Sequence, residues 1–341
     1  MHFAFRTVIA VILLLIANFV RAGNILAKPH TLPSSQPHKQ FNLYNSFSLF
    51  YLSHPFTKDD SSSVVIPFIR AGNLILIQAK ADTLDGNFIL DTGAPKLVLN
   101  TTYFRDYPSI SDHTPNEESG GITGTTGYEG AIMIDEFSIG PFKYHQTEAD
   151  RVNLGHIEDT KGIKILGLLG MQLFRRFEMI IDYENGLLHL HRIGNKEGAS
   201  YKHAMLRDTS AYNTFSITLS EDKIMTYIVV AGKKLTFIID TGAESNVLDS
   251  RLPDKVFENV TITRKVVLAG SGNSKVDALY GAMKNTKIGN RDIDNLPVLV
   301  TNLERMCKSY ERCLDGMLGF DFLSMHKIGF NFVTRKMYIW K

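Results

Sequence analysis

"NFILDTGAPKLVLN" occupies residues 87–100 and "TFIIDTGAESNVLD" residues 236–249. Each runs aromatic, apolar, apolar, then Asp-Thr-Gly-Ala, then polar residues and a return to Val and Leu. The two acidic residues, Asp91 and Asp240, stand 149 positions apart, and three other landmarks repeat at that offset. Gly121 in "GGITG" matches Gly270 in "LAGSG", Ile139-Gly140 matches Ile288-Gly289, and Leu169-Gly170 in "GLLGMQLF" matches Leu318-Gly319 in "GMLGFDFL". Further on, "FEMIIDYENGLLHLH" (177–191) runs parallel to "HKIGFNFVTRKMYIW" (326–340). One offset shared by four landmarks identifies a tandem duplication.

The repeat sets the organisation. Residues 63–195 form the first unit, 196–210 a polar linker with one glycine, and 211–341 the second unit. Within each unit short runs rich in Ile, Leu and aromatics, such as "AIMIDEFSIG" and "FEMIIDY", alternate with Gly, Asn and Asp turns, a strand pattern. "KIMTYIVVAGKKLTFIID" (223–240) reads as a hairpin turning at Ala-Gly-Lys-Lys. Helical signal is confined to one short segment per unit, "MQLFRRF" and "FDFLSMH". The fold class expected is all-β with one short helix in each half.

A single Asp-Thr-Gly is most simply an Asp capping a turn. Two copies, each delivered by a buried apolar strand and each opening a repeat unit, call for more. If the units pack about a pseudo-twofold axis, Asp91 and Asp240 meet. Two close carboxylates share one proton, and such a pair can hold a water, deprotonate it and donate the second proton.

With these motifs in place, the chain resembles the retropepsin-like aspartyl proteases in the fused, pepsin-like pseudo-dimer form. The resemblance rests on Asp91-Thr92-Gly93-Ala94 with Leu168-Leu169-Gly170, and on Asp240-Thr241-Gly242-Ala243 with Met317-Leu318-Gly319. It implies two retropepsin-like β-barrel lobes related by a pseudo-twofold axis, and an aspartic endopeptidase whose Asp91 and Asp240 activate water. Thr92 and Thr241 become an interlobe hydrogen-bond clamp, and Gly93 and Gly242 contact the substrate backbone. It also implies a β-hairpin flap in each half, at Gly121, Ile122, Thr123 and Gly124 and at Gly270, Ser271 and Gly272. The two tips differ in sequence, so the cleft is expected to be asymmetric. Ala94 and Ala243 cannot hydrogen-bond the carboxylates as Ser would, which points to a mildly acidic optimum.

The N-terminus opens with "MHFAFR", a short apolar run "TVIAVILLLIANFV" and "RAGN", the order of a signal peptide cleaved after Ala22. An uncleaved anchor is the alternative. No Cys lies near the cleavage point, so a lipoprotein is not supported, and the mature protein is expected to be periplasmic or secreted. Residues 23–62 have no counterpart in the second unit and read as a leader with an added strand, or as a propeptide. No apolar run long enough to span a membrane follows the N-terminus. Lys plus Arg (37) nearly balance Asp plus Glu (35), so no nucleic-acid partner is implied. The expected partner is a peptide or protein, met by a monomer whose lobes pair in cis.

Cys307 and Cys313, the only two cysteines, suit a small structural disulfide in an oxidising compartment, with two free thiols as the alternative. Without accompanying His they make a poor zinc site. His189 and His191 share one side of a strand but read as one polar face. No metal or cofactor is expected. The competing function is a non-catalytic peptide- or protein-binding protein that kept the protease fold, and both intact Asp-Thr-Gly sets argue against it.

Overall fold

The computed structural model describes residues 14–16, 62–111, 120–122, 124–125, 127–220, 222–270, 275–309 and 313–341. The leader 23–61, most of the signal segment, and flap residues Thr123, Ser271 and Gly272 lie outside these. Among the described residues no helix is long and apolar enough to cross a membrane. Leu14–Ile16 form a short strand antiparallel to residues 268–270.

The duplication holds strand for strand. Leu74–Ala81, Leu84–Leu90 and Gly167–Leu169 recur, each 149 residues on, as Lys223–Val230, Lys233–Ile239 and Gly316–Leu318. In both halves the strand that ends at the Asp turn lies parallel to the apolar-apolar-Gly strand. That strand is in turn antiparallel to the one leaving the turn. Leu168 pairs with Ile89 and Val98, and Met317 with Ile238 and Val247. The chain after each apolar pair must pass almost through the Asp loop. A Cβ on Gly170 would sit 1.9 Å from the Lys96 carbonyl oxygen, and one on Gly319 would sit 2.5 Å from that of Ala243. Only glycine permits that approach. Phe88 and Phe237, on the strands feeding the turns, are fully buried, and each contributes about 1.5–3 kcal/mol of apolar burial.

A six-stranded sheet joins the halves, ordered Tyr212–Ser216, Lys336–Trp340, Ile328–Asn331, Phe177–Asp182, Leu187–Arg192, Ser63–Pro67. Three strands come from each half. At its centre Ile180 pairs antiparallel with Gly329, its own counterpart at the 149-residue offset. A strand that pairs with its own copy in this way places the pseudo-twofold axis between the two residues. Two contacts related by the axis flank it. Asn331 donates to Glu178 Oε2 at 2.8 Å, and Lys327 pairs with Asp182 at 2.7 Å. Asp182 and Asn331 also accept equivalent turn hydrogen bonds, from the N–H groups of Asn185 and Thr334. Both are structural.

The expected helices lie at Met171–Phe174 and Phe320–Leu323, the first of them a 3-10 turn. Each half has two more, Thr101–Phe104 with Gly155–Lys161, and Asp254–Phe257 with Glu304–Ser309. One short helix per half therefore understates the structure. Runs of four to seven residues cannot display a 3.6-residue period. The linker is packed: the His203 N–H donates to Glu178 Oε1 at 3.0 Å, and Tyr201 stacks on His191 at 3.5 Å.

His191 bonds Ser63 and Glu197, whereas His189 is buried with Nε2 unpartnered among the described residues. No metal-holding group of His, Cys, Asp or Glu occurs among the described residues. Burial, with His203 nearby, lowers the His189 pKa from 6.5 to about 4. The unfolded chain thus takes up this proton at a higher pH than the folded one. The contribution is complete above 6.5 and is lost as pH falls toward 4. Urea denaturation at several pH values should show His189→Gln losing less stability than wild type across that window. Parallel losses would show that His189 is not the group responsible.

Candidate active site

The two Asp turns meet on the pseudo-twofold axis. The Thr92 N–H donates to Thr241 Oγ1, and the Thr241 N–H donates to Thr92 Oγ1, both at 3.0 Å. Each hydroxyl then donates across the interface to the carbonyl preceding the opposite Asp. Thr92 reaches Ile239 at 2.9 Å and Thr241 reaches Leu90 at 2.8 Å. All four groups are buried, and all four bonds cross between halves. This is the clamp expected at Thr92 and Thr241.

The clamp sets the carboxylates. Asp91 and Asp240 are both fully buried. Asp91 Oδ1 accepts the N–H groups of Gly93 and Ala94 at 2.9 and 3.0 Å, and Asp240 Oδ1 accepts that of Gly242 at 2.8 Å. Each turn's glycine packs on the opposite carboxylate. A Cβ at Gly93 would lie 2.5 Å from Asp240 Oδ2, and one at Gly242 would lie 2.6 Å from the Asp91 carboxyl carbon. These glycines are therefore required by the facing carboxylate. Neither Oδ2 has a hydrogen-bond partner among the described residues. Burial raises the Asp91 pKa from 3.8 to about 6, with Asp240 and the Gly93 and Ala94 N–H groups pulling it partly back. Burial and the Asp91 charge push Asp240 well above the usual carboxylate range. Such a pair carries one shared proton. Ala94 and Ala243 are buried beside it and offer no hydroxyl.

Gly120–Gly121 and Gly124–Thr125 form a small hairpin with Ile122 in its turn. Ile122 is buried in an apolar cluster of the other half, with Ala243, Val247, Leu268, Leu303, Met306 and Met317. In the second half Gly270 ends the long strand Val260–Gly270, which pairs with Val276–Met283.

Leu303 and Met306 lie next to Cys307, which is disulfide-bonded to Cys313. Arg251, held by Asp249, donates to Cys307 Sγ at 3.0 Å. The counterpart of Cys307 is Glu158, whose carboxylate accepts from Tyr103 Oη, Asn100 Nδ2 and the Ile165 N–H. A disulfide in one half and a half-buried carboxylate in the other tie down equivalent helices.

Sequence reading missed several residues at the cleft. Lys96, two positions past Ala94, pairs with Glu148 at 2.6 Å. Asp150, in register with Val98, is buried, and burial raises its pKa to about 7. Glu244, next to Ala243, is buried and bonded to Lys161 and Asn73 of the other half. A signal existed: at the 149-residue offset Asp150 aligns with Leu299 and Glu244 with Pro95. Charge in one copy opposite an apolar residue in the other marks the positions where the lobes diverge.

Residues 226–322, which include Asp240-Thr241-Gly242 and Met317-Leu318-Gly319, match the family model for aspartyl proteases. This stretch is similar to aspartyl protease domains. The match bears out the resemblance drawn from the motifs. It lies within the second half, so the fused two-unit form is outside what it covers. No curated protein matches the sequence. Solved structures similar at low identity include the following three. The soybean basic 7S globulin has 12% identity and a TM-score of 0.43, covering 82% of this chain and 95% of its own. Conglutin gamma, a basic 7S globulin from lupine seeds, has 12% identity and a TM-score of 0.45, with the same coverage of each chain. The aspartic proteinase from Irpex lacteus has 10% identity and a TM-score of 0.46, covering 82% of this chain and 97% of its own.

Thr241→Ala removes an acceptor from the buried Thr92 N–H and a donor from the Leu90 carbonyl. The expected cost is about 2 kcal/mol, read from urea unfolding. Thr241→Ser keeps the hydroxyl and should retain most of that stability. Equal losses in the two variants would show that the threonine methyl, not the clamp, carries the effect.

Proposed function

We propose that the chain is an exported aspartic endopeptidase that hydrolyses peptide bonds with a water activated by Asp91 and Asp240. The observation that carries the reading is the pairing of two fully buried carboxylates, each backed by the other turn's glycine. A lone buried carboxylate gains nothing from that arrangement. Two of them divide the work of general base and general acid.

In the reaction, the ionised carboxylate takes a proton from water as its oxygen attacks the peptide carbonyl carbon. The protonated partner gives its proton to the carbonyl oxygen. The tetrahedral intermediate collapses when the carboxyl that took up the first proton protonates the amide nitrogen, the C–N bond breaks, and the other carboxylate takes back a proton from a diol hydroxyl as the C=O re-forms. The dyad emerges with one proton, as it began. An extended substrate between the Gly120–Thr125 hairpin and the Asp turns would be held by strand-like backbone hydrogen bonds. Pairing of the lobes within one chain makes a monomer sufficient. Export rests on the signal-like N-terminus.

The raised carboxyl pKa values, to about 6 for Asp91 and well above the usual carboxylate range for Asp240, argue against a strongly acidic optimum. Activity should fall toward acid as the second carboxyl is protonated, and toward alkali as the shared proton is lost. Cleavage of an unfolded protein from acid to neutral pH should be lost by roughly 1,000-fold or more in both Asp91→Asn and Asp240→Asn. Retained cleavage in either variant would overturn the shared-dyad mechanism. A folded wild-type protein that cleaves nothing, or is not inhibited by a statine-type peptide, would favour a peptide-binding role.

A further inference from the structure

We propose that Glu244, Lys161 and Asn73 form a one-sided clamp that positions the Asp240 turn from the opposite lobe. The proposal rests on the proteolytic reading of the dyad for its effect on turnover, but its geometry stands without it.

Glu244 follows Asp240-Thr241-Gly242-Ala243 directly, and its side chain is 7% exposed. Its carboxylate Oε1 pairs at 2.6 Å with Lys161 Nζ, itself 11% exposed, at the end of the helix Gly155–Lys161. Its Oε2 accepts the Asn73 N–H at 3.1 Å, and its backbone carbonyl accepts Asn73 Nδ2 at 3.0 Å. Three contacts from the first half thus grip one residue of the second half's catalytic turn. Gly72 makes room for them, since a Cβ there would meet Lys161 Nζ at 2.9 Å and Glu244 Oε2 at 3.0 Å.

The axis-related site has none of these groups. At the 149-residue offset Pro95 stands for Glu244, Tyr310 for Lys161 and Asp222 for Asn73. The Asp222 side chain instead pairs with Arg175, away from the turn. The two turns also differ in their own support. Asp91 Oδ1 takes two loop N–H groups, whereas Asp240 Oδ1 takes one. The turn whose carboxylate takes one loop N–H is the one also held from the other half. A buried carboxylate and ammonium in contact favour one geometry strongly, because either left alone in that site would be desolvated without compensation. Glu244 and Lys161 do not reach the reacting atoms; they act through the turn, as positioning residues.

The test compares wild type, Lys161→Met/Glu244→Gln and Lys161→Arg. The double variant removes both charges together and leaves Asn73 an acceptor, so it should fold. Its kcat should fall roughly 10- to 100-fold with a smaller change in KM. Lys161→Arg should restore kcat to near wild type. Carbon-13 NMR of the Asp91 and Asp240 carboxyls, recorded without substrate, should show their titration displaced in the double variant. A folded double variant with unchanged kcat and unchanged carboxyl titration would overturn the clamp. If wild type cleaves nothing while the titration still shifts between the two proteins, the clamp stands and the proteolytic reading falls.

Discussion

The reciprocal exchange between Thr92 and Thr241 is the interaction on which the rest of the structure depends. Each backbone N–H finds its acceptor only on the other half, and each hydroxyl donates only across the interface. If the halves shifted apart without admitting water, six buried polar groups would lose their partners at once, at about 1–3 kcal/mol each. The site therefore cannot be half formed. The same exchange presses each turn's glycine onto the facing carboxylate, and this closeness couples the two titrations.

A second constraint acts at the far end of the same axis. The pairing of Ile180 with Gly329 holds the copies together through backbone hydrogen bonds in the six-stranded sheet. The Thr exchange holds them through side chains at the dyad. Two fixed points on one axis leave the lobes little freedom to rotate about the cleft. The carboxylate pair inherits its placement from that frame rather than from the short turns themselves.

On this symmetric backbone the side chains diverge around the Asp turns and the helices that follow the equivalent strands. Glu244 stands where the other copy has Pro95, Asp150 where it has Leu299, and the Cys307–Cys313 bridge where it has the Glu158 hydrogen-bond cluster. Ile122 of the Gly120–Thr125 hairpin seats among Leu303 and Met306 of the second half, while the corresponding position 271 is a serine. Duplication supplied two equal halves. Their differences fall on residues that brace the two turns and the two equivalent helices differently in each half.

Much of the fold was legible because its determinants are local or repeated. The apolar strands, the Asp turns and the glycine after each apolar pair all sit at one offset, and the strand bounds follow that offset residue by residue. The two aspartates, their threonines and their glycines were identified for the same reason. The short helices were missed because a run shorter than two turns has no period to read. The Lys161–Glu244 pair was missed because its members are 83 residues apart and nothing in either neighbourhood names the other. By itself, the sequence determined an all-β duplicated chain with one acidic turn in each copy. Only the tertiary structure decided that the turns touch, how far burial raises their carboxyls, and which turn is gripped from across the cleft. Desolvation and charge coupling depend on distance through space, and the order of residues along a chain does not contain it.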